Sequence, residues 1–284
     1  MRRSGWIPSR ADLGKGDAIP TVEELCQEWQ RGLGGAPGSP LSGIFVARLD
    51  STQRLARTLL DQCVHEDEGP LPFVVAALEQ SAGRGRQGRA WLSPAGSGLC
   101  ASMVLPVPSP ERLQELPLRT AAALATFVAA SVGADCRIKW PNDLVVGRLK
   151  LGGILVDAVT PPAPSDAWAI VGFGLNYAPP DVTSLPDATS VLAETARRNC
   201  APPSFARFVC DGISAVWEAV TSESTDWVAR FAALSAHEAG DRLRFEIAGE
   251  EVAGAFGGFD EHGFLKLETT AGERRIRSGE IYSW

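Results

Sequence analysis

Histidine is scarce in this chain of 284 residues: there are three, His65, His237 and His262, too far apart in sequence to suggest a His-based metal site. The six cysteines (Cys26, Cys63, Cys100, Cys136, Cys200 and Cys210) form no C-x-x-C pair. In a chain of this size that pattern reads as reduced thiols of a cytoplasmic protein, and it excludes a disulfide framework or a zinc ribbon. No apolar run is long enough to suggest a membrane span: the Ala-rich stretch 120–134 falls short of the ~20 residues a bilayer requires, so it is expected to be a buried helix. Arg2 and Arg3 are not followed by an apolar segment before Pro8, so no signal peptide is read. Basic residues are in the minority, 27 Lys and Arg against 34 Asp and Glu, a net charge of −7. That balance argues against a protein built to coat DNA or an anionic membrane, while leaving room for a local basic patch. Internal repeats are absent too. What remains, 45% apolar and 21% charged residues, is the composition of an ordinary globular protein of one large domain or two.

Residues 1–43 are expected to form an extension apart from the rest. Thr21-Val22-Glu23-Glu24 has capping-box spacing, with Thr21 as the cap and Glu24 reaching back to its amide. Leu25, Trp29 and Leu33 follow along one helical face, and the breaker-rich segment 34–40 ends the helix. The segment is too short and too poor in apolar periodicity for a winged-helix DNA-binding domain, so no specific DNA partner is expected. Between 44 and 235 strands and helices alternate. Strands are predicted at 44–49, 73–78, 98–105, 137–146, 150–159 and 167–172. Helices are predicted at 53–63 and 118–132, with another through Phe205, Phe208, Val209, Ile213 and Val216. From 236 to 284 the character changes. Leu243, Phe245 and Ile247 alternate with Arg242, Arg244 and Glu246, the period of a half-buried strand, and turn signals recur. The expected architecture is α+β: a mixed β-sheet with helices on one side, then a small all-β barrel.

The most informative segment is Gln80-Ser81-Ala82-Gly83-Arg84-Gly85-Arg86-Gln87-Gly88-Arg89-Ala90-Trp91. Its glycines satisfy G-x-G-x-x-G, but that dinucleotide fingerprint needs a helix opening on the glycines and an acidic residue ~20 positions on. Leu92-Ser93-Pro94 forbids the helix and no acid lies near 103–108. A better account is a glycine-permitted loop that folds over a ligand, with Arg84, Arg86 and Arg89 concentrating positive charge suited to phosphate oxygens. The competing account is a solvated basic turn.

A second constellation is Lys139-Trp140-Pro141-Asn142-Asp143, followed seven residues on by Lys150-Leu151-Gly152-Gly153-Ile154-Leu155. Pro141 favours an extended residue before it, and a turn at Gly147-Arg148 would bring Lys139, Asn142, Asp143 and Lys150 together. Two lysines, a carboxylate and an amide suit phosphate handling or carboxylate activation. A third feature is Gly172-Phe173-Gly174-Leu175-Asn176 after a strand. Asp50-Ser51-Thr52, at a predicted helix start, serves equally as a plain cap or as an anion seat.

In this order the segments resemble the biotin protein ligase family, the biotin–[acetyl-CoA-carboxylase] ligases, over residues 44–284; Gly279-Glu280-Ile281 resembles the close of that family's SH3-like domain. The resemblance implies a class II synthetase-like, biotin–lipoate ligase fold with a catalytic domain at 44–235 and an SH3-like domain at 236–284. It also implies an ATP-dependent, AMP-forming enzyme that joins biotin to a lysine of a biotin carboxyl carrier protein. Mg²⁺ would be carried on ATP rather than held by a protein-only metal site. By the same resemblance Arg84, Arg86, Lys150 and Asp143 are catalytic. Biotin would meet Ser51, Thr52, Gln53, Gln80, Gly83, Gly85, Gly152 and Gly153 together with Arg84, Arg86 and Lys150. The nucleotide would meet Arg86, Arg89, Trp91, Lys139, Asn142, Lys150 and Asn176. Two departures stand out: Gln53 follows Asp-Ser-Thr where the family often has Asn, and Gln87 replaces an arginine found in some relatives. A lipoate or octanoyl ligase of the same fold, or a non-catalytic biotin-binding module, are the alternatives. An exposed sheet edge could pair with the carrier or with a second copy of the chain as a homodimer, and the sequence does not separate these.

Overall fold

A computed structural model describes residues 20–31, 41–65, 71–160, 167–179, 185–247 and 250–283. The predicted linker at 34–40 lies outside them. The elements are α1 (Val22–Arg31), β1 (Ser42–Leu49), α2 (Thr52–His65), β2 (Phe73–Arg84), β3 (Ala90–Ser93), β4 (Gly98–Val107), α3 (Pro110–Val132), β5 (Cys136–Lys139), β6 (Asp143–Val146), β7 (Leu149–Val159) and β8 (Ala167–Asn176). There follow α4 (Val191–Arg198), α5 (Phe205–Thr221), α6 (Trp227–Ala233), β9 (Arg242–Ile247), β10 (Glu250–Phe259), β11 (Leu265–Thr269), β12 (Gly272–Ile276) and β13 (Glu280–Ser283).

The large sheet runs β1-β2-β4-β8-β7-β6-β5, with β3 paired to β2 off that path. β1 and β2 are parallel and the remaining pairs antiparallel, so the sheet is mixed. Because side chains alternate along a strand, β2 sends Val74, Ala76 and Leu78 into the main core and Phe73 and Val75 into a second one. α3 and α5 cover the first face, while α2 covers the other through Ala56 and Leu60. Helices therefore lie on both sides rather than one. The reason is local: α2 is apolar along one stripe only and buries it on strands whose opposite face α3 already fills.

Three further expectations change. The extension at 1–43 does not stand wholly apart: α1 is closed by the anticipated capping box, Thr21 N–H to Glu24 Oε2 at 2.7 Å and Glu24 N–H to Thr21 Oγ1 at 3.1 Å. It then buries Leu25 and Trp29 in the main core. The Ala-rich helix starts at Pro110, capped by Ser109, and carries Pro117 inside it. At 23 residues α3 is long and apolar enough to cross a membrane by length and composition, yet Leu116, Leu124, Ala125 and Val128 are fully buried inside this protein. The strand expected at 137–146 is two strands, β5 and β6, hinged at Trp140-Pro141-Asn142 around a cis Trp140–Pro141 bond.

The C-terminal strands form one antiparallel sheet, β12-β11-β10-β9-β13. Leu243 and Phe245 face its core and Arg242 and Arg244 face solvent, as their alternation requires. Among the described residues no pairing joins β12 to β13, so the barrel expected there is an open sheet. It seats on the large sheet where the Trp140 indole donates to Gly263 O at 3.3 Å and packs edge-on against Phe245.

Candidate active site

The Gly–Arg segment forms neither a helix nor an unstructured loop. β2 runs straight through Gly83 to Arg84, a short turn at Arg86–Gly88 follows, and β3 returns along it. Gly85 N–H donates to Arg89 O at 2.8 Å and Arg89 N–H to Arg86 O at 3.1 Å, closing the tip. Gln87 sits in the left-handed region at φ 55°, a conformation a non-glycine residue adopts only under local constraint. The tip is clasped from two sides. Arg86 Nη1 donates to Asn142 Oδ1 at 2.7 Å and to Gly279 O at 3.4 Å, and Arg89 Nη1 pairs with Glu280 Oε1 at 2.6 Å.

Beneath this hairpin lies a cleft between α2, the hairpin and the β7–β8 strands, with differently built ends. At one end Ser51, Thr52 and Gln53 enter from the start of α2. Thr52 N–H donates to Gln80 Oε1 at 2.8 Å and Thr52 Oγ1 approaches the same oxygen at 3.1 Å. Ser51 Oγ is buried and has no hydrogen-bond partner among the described residues, a hydroxyl that costs stability unless a ligand or water meets it. At the other end Arg84, Arg86 and Lys150 converge on the cleft wall with Asn142 and Asp143. Lys150 Nζ donates to Asp143 Oδ1 at 2.7 Å and stands 6.0 Å from the centre of the Trp91 ring. The Lys150 backbone is pinned by Lys150 N–H to Asp187 O at 2.7 Å and Thr189 N–H to Lys150 O at 2.9 Å. Burial pulls the Arg86 guanidinium below its ordinary pKa, Asp143 and Glu280 opposing. Burial likewise lowers the Lys139 ammonium, against Asp143. Burial raises the Cys100 thiol, so it meets the cleft as a neutral group beside Ser93 Oγ at 3.0 Å.

Of the residues singled out from sequence, Ser51, Thr52, Gln53, Gln80, Arg84, Gly85, Arg86, Arg89, Trp91, Asn142, Asp143, Lys150 and Gly153 line the cleft. Gly83, Lys139, Gly152 and Asn176 stand outside its wall. A side chain at Gly83 would meet Trp91 O at 2.4 Å and one at Gly152 would meet Gly174 O at 2.5 Å, so strand packing accounts for both. Asn176 Nδ2 donates to Thr189 O at 3.0 Å and Lys150 O at 3.4 Å, holding the lysine strand. Gly172, Phe173 and Gly174 line the cleft as well, although a Cβ on either glycine would meet protein, 2.4 Å from Gln53 Oε1 at Gly172 and 2.7 Å from Trp91 Cζ2 at Gly174. The sequence reading missed Ser102 and Cys100 on the wall. The only signal for Ser102 was a lone hydroxyl inside the apolar run of β4. Among the described residues no group of three or more His, Cys, Asp or Glu could hold a metal ion.

A mixed sheet with a cationic, hydrogen-bonding cleft under a Gly–Arg hairpin defines a class, and residues 45–175 match the model of the Biotin/lipoate A/B protein ligase family. A biotin–[acetyl-CoA-carboxylase] ligase of Paracoccus denitrificans is 33% identical over 228 residues, covering 73% of this chain and 89% of that protein. The bifunctional ligase/repressor BirA of Escherichia coli is 30% identical over 280 residues, 94% of this chain and 81% of its own. Among solved structures, the biotin protein ligase of Aquifex aeolicus in complex with biotin and ATP shares the fold at a TM-score of 0.67 and 22% identity, covering 84% of this chain and 97% of that one. The chain belongs to the biotin protein ligase family.

Proposed function

We propose that the cleft activates biotin with ATP and then passes it to a lysine of a carboxylase carrier domain in the cytoplasm. In the first step a biotin carboxylate oxygen attacks the α-phosphorus of ATP, forming biotinyl-5′-AMP and expelling pyrophosphate. In the second, the lysine ε-amine attacks the acyl carbon of that mixed anhydride, expels AMP and loses its proton.

The observation that carries this is the cleft's two unlike ends. Ser51, Thr52 and Gln80 offer a hydrogen-bonding end for a cyclic urea. Arg84, Arg86 and Lys150 offer positive charge where a carboxylate and a phosphate must meet despite their repulsion. Gly85 and Gly153 line the cleft without side chains, Gly153 beside Asp143 and Lys150. A mixed anhydride hydrolyses unless water is excluded, and the clasped hairpin carrying Trp91 and Arg89 is placed to cover it. Asp143, next to Lys150, would orient or deprotonate the incoming amine. Lys139 and Asn142 would favour the nucleotide phosphates by charge and by fixing Arg86, and Asn176 would act through the strand of Lys150. Mg²⁺ would arrive on the ATP phosphates. Within this proposal β9 to β13 correspond to the family's SH3-like module, the chain is a ligase that binds no specific operator DNA, and a homodimer would use a sheet edge.

The test mixes the protein with biotin, Mg-ATP and a carrier domain and follows pyrophosphate release and the mass of the carrier. Biotin-dependent pyrophosphate and a carrier gaining one biotin are expected, with Arg86→Ala slower by about 100-fold or more. Pyrophosphate released with lipoate or octanoate but not with biotin would overturn the substrate.

A further inference from the structure

The second step of the proposed reaction uses a lysine amine as nucleophile, and the cleft already contains one. Arg84, Arg86 and Arg89 on its wall are guanidiniums, which stay protonated in proteins and have no lone pair for an acyl carbon. Lys150 is the one amine among the residues that line it. Its side chain is 40% exposed, so burial does not shield it. The rest of the chain offers few competing amines: four of its 27 basic residues are lysines, Lys15, Lys139, Lys150 and Lys266. Lys139 stands outside the cleft wall, and Lys266 lies on β11 of the smaller sheet. Lys15 is outside the described residues.

An adenylate formed against Lys150 is open to capture by it. Aligned groups held in contact react as if present at about 10⁵ M or more, far above any carrier concentration. A small share of uncharged amine would therefore divert the biotinyl group onto the enzyme. What stands in the way is Asp143. Its Oδ1 accepts from Lys150 Nζ at 2.7 Å, the only hydrogen bond that nitrogen makes among the described residues. Asp143 pairs with Gly153 across β6 and β7, so the carboxylate is carried on a strand. The ion pair sits over that glycine, where an added Cβ would lie 3.6 Å from both Asp143 Oδ1 and Lys150 Nζ. A carboxylate in contact favours the charged form of its partner, which has no lone pair to attack with. Asp143 also faces Arg86 and Lys139, and Lys139 faces Lys150, with Glu280 the other acid near them. Without Asp143 these cations repel one another, and an amine relieves the repulsion by giving up a proton.

We propose that Asp143 protects the enzyme from its own intermediate: the ion pair keeps Lys150 charged and turned toward β6 while the adenylate is held, so the biotinyl group waits for the carrier's lysine. The proposal rests on the biotin-activating reading of the cleft and is separate from any part Asp143 takes in orienting the incoming amine. The step prevented is an acyl transfer. Lys150 Nζ would bond to the acyl carbon of biotinyl-5′-AMP, the C–O bond to the phosphate would break, AMP would leave with the electron pair, and the nitrogen would lose one proton to water. The amide so formed would remove the cation on which activation depends, and a single miscapture would end that molecule's activity.

The test adds synthetic biotinyl-5′-AMP to the full chain with no carrier present, which bypasses activation, and follows biotinyl groups on each lysine by peptide mass. Co-elution measures adenylate binding on the same samples, and Lys266 reports adenylate released into solution. In wild type Lys150 should gain label no faster than Lys266. Asp143→Asn keeps the side chain's shape and drops its charge, so label on Lys150 should appear about tenfold faster or more, with Lys266 unchanged. Asp143→Glu restores the carboxylate and should slow the labelling of Lys150 again, a rescue that packing alone does not supply. Asp143→Asn that binds the adenylate yet labels Lys150 within twofold of wild type overturns the proposal, as does wild type that labels Lys150 faster than Lys266. An Asp143→Asn chain that no longer holds the adenylate overturns it too, because the carboxylate would then serve binding. Wild type that releases no biotin-dependent pyrophosphate removes the reading beneath the proposal, a failure seen before any adenylate is added.

Discussion

Lys150, on which the proposed chemistry converges, is held on a pinned strand with its ammonium on Asp143. Preorganised cations at developing charge are worth about two to three orders of magnitude in rate. Lys150→Ala is accordingly expected to slow biotin-dependent exchange of pyrophosphate into ATP by about 100-fold or more, while biotin binding at the Ser51 end weakens far less. Exchange within tenfold of wild type would place the charge elsewhere. Gly174 bears on the same wall differently, because its missing side chain is where the Trp91 ring lies. Gly174→Ala should push the indole aside, shifting tryptophan fluorescence and costing about 1–3 kcal/mol as overpacking does, measurable by urea unfolding. At this scale the arginines, Lys150 and Asp143 were readable because charge gathered around glycines is unusual in an acidic chain. Ser102 and Asp157 were not readable, since a hydroxyl or carboxylate in a strand acquires a partner only when register places Gln53 against it.

The elements were legible where one periodicity ruled and illegible where two constraints competed. The alternation at 242–247 and the capping box at Thr21 both stand as read. α3 was begun too late because Pro117 reads as a helix boundary, whereas Ser109 caps the helix well before it. β5 and β6 looked like one strand because their apolar residues run on through Trp140, and only the bend at Pro141 separates them. α1 carries the most direct prediction of this kind. A helix set apart from the fold would tolerate loss of its apolar face, but Leu25 is 1% exposed and packed in the main core. Leu25→Ala should therefore destabilise the whole protein by about 3 kcal/mol, within the range for a buried leucine, in a single cooperative transition. A change under about 0.5 kcal/mol, the size expected of a surface site, would return α1 to the periphery.

Across the whole molecule, the two sheets meet at Trp140, Phe245 and Gly263, and the hairpin over the cleft is clasped by Gly279 and Glu280 of the smaller one. His237 lies at this joint, 4% exposed, with its ring edge-on to Phe256. Burial lowers its pKa to about 4 from 6.5, Asp241 opposing and Lys139 adding to the fall. The unfolded chain thus binds the extra proton first. The stabilisation is complete above pH 6.5 and is lost as pH falls toward 4. A shift of that size corresponds to about 3 kcal/mol. Unfolding free energy measured between pH 7 and 4.5 should fall less steeply in His237→Gln than in wild type, and parallel slopes would remove His237 from the account.

The packing of α1 also governs when the molecule can finish folding. Cys210 Sγ lies 3.8 Å from Leu25 O across 185 positions of sequence, and α1 rests against α5 and β1. On a ribosome α1 emerges before α5, so its seat exists only after α5 has been made. Its apolar stripe must wait exposed or be sheltered by a chaperone until then. Contacts so distant in sequence slow folding, and the nascent chain is most prone to aggregation in that interval.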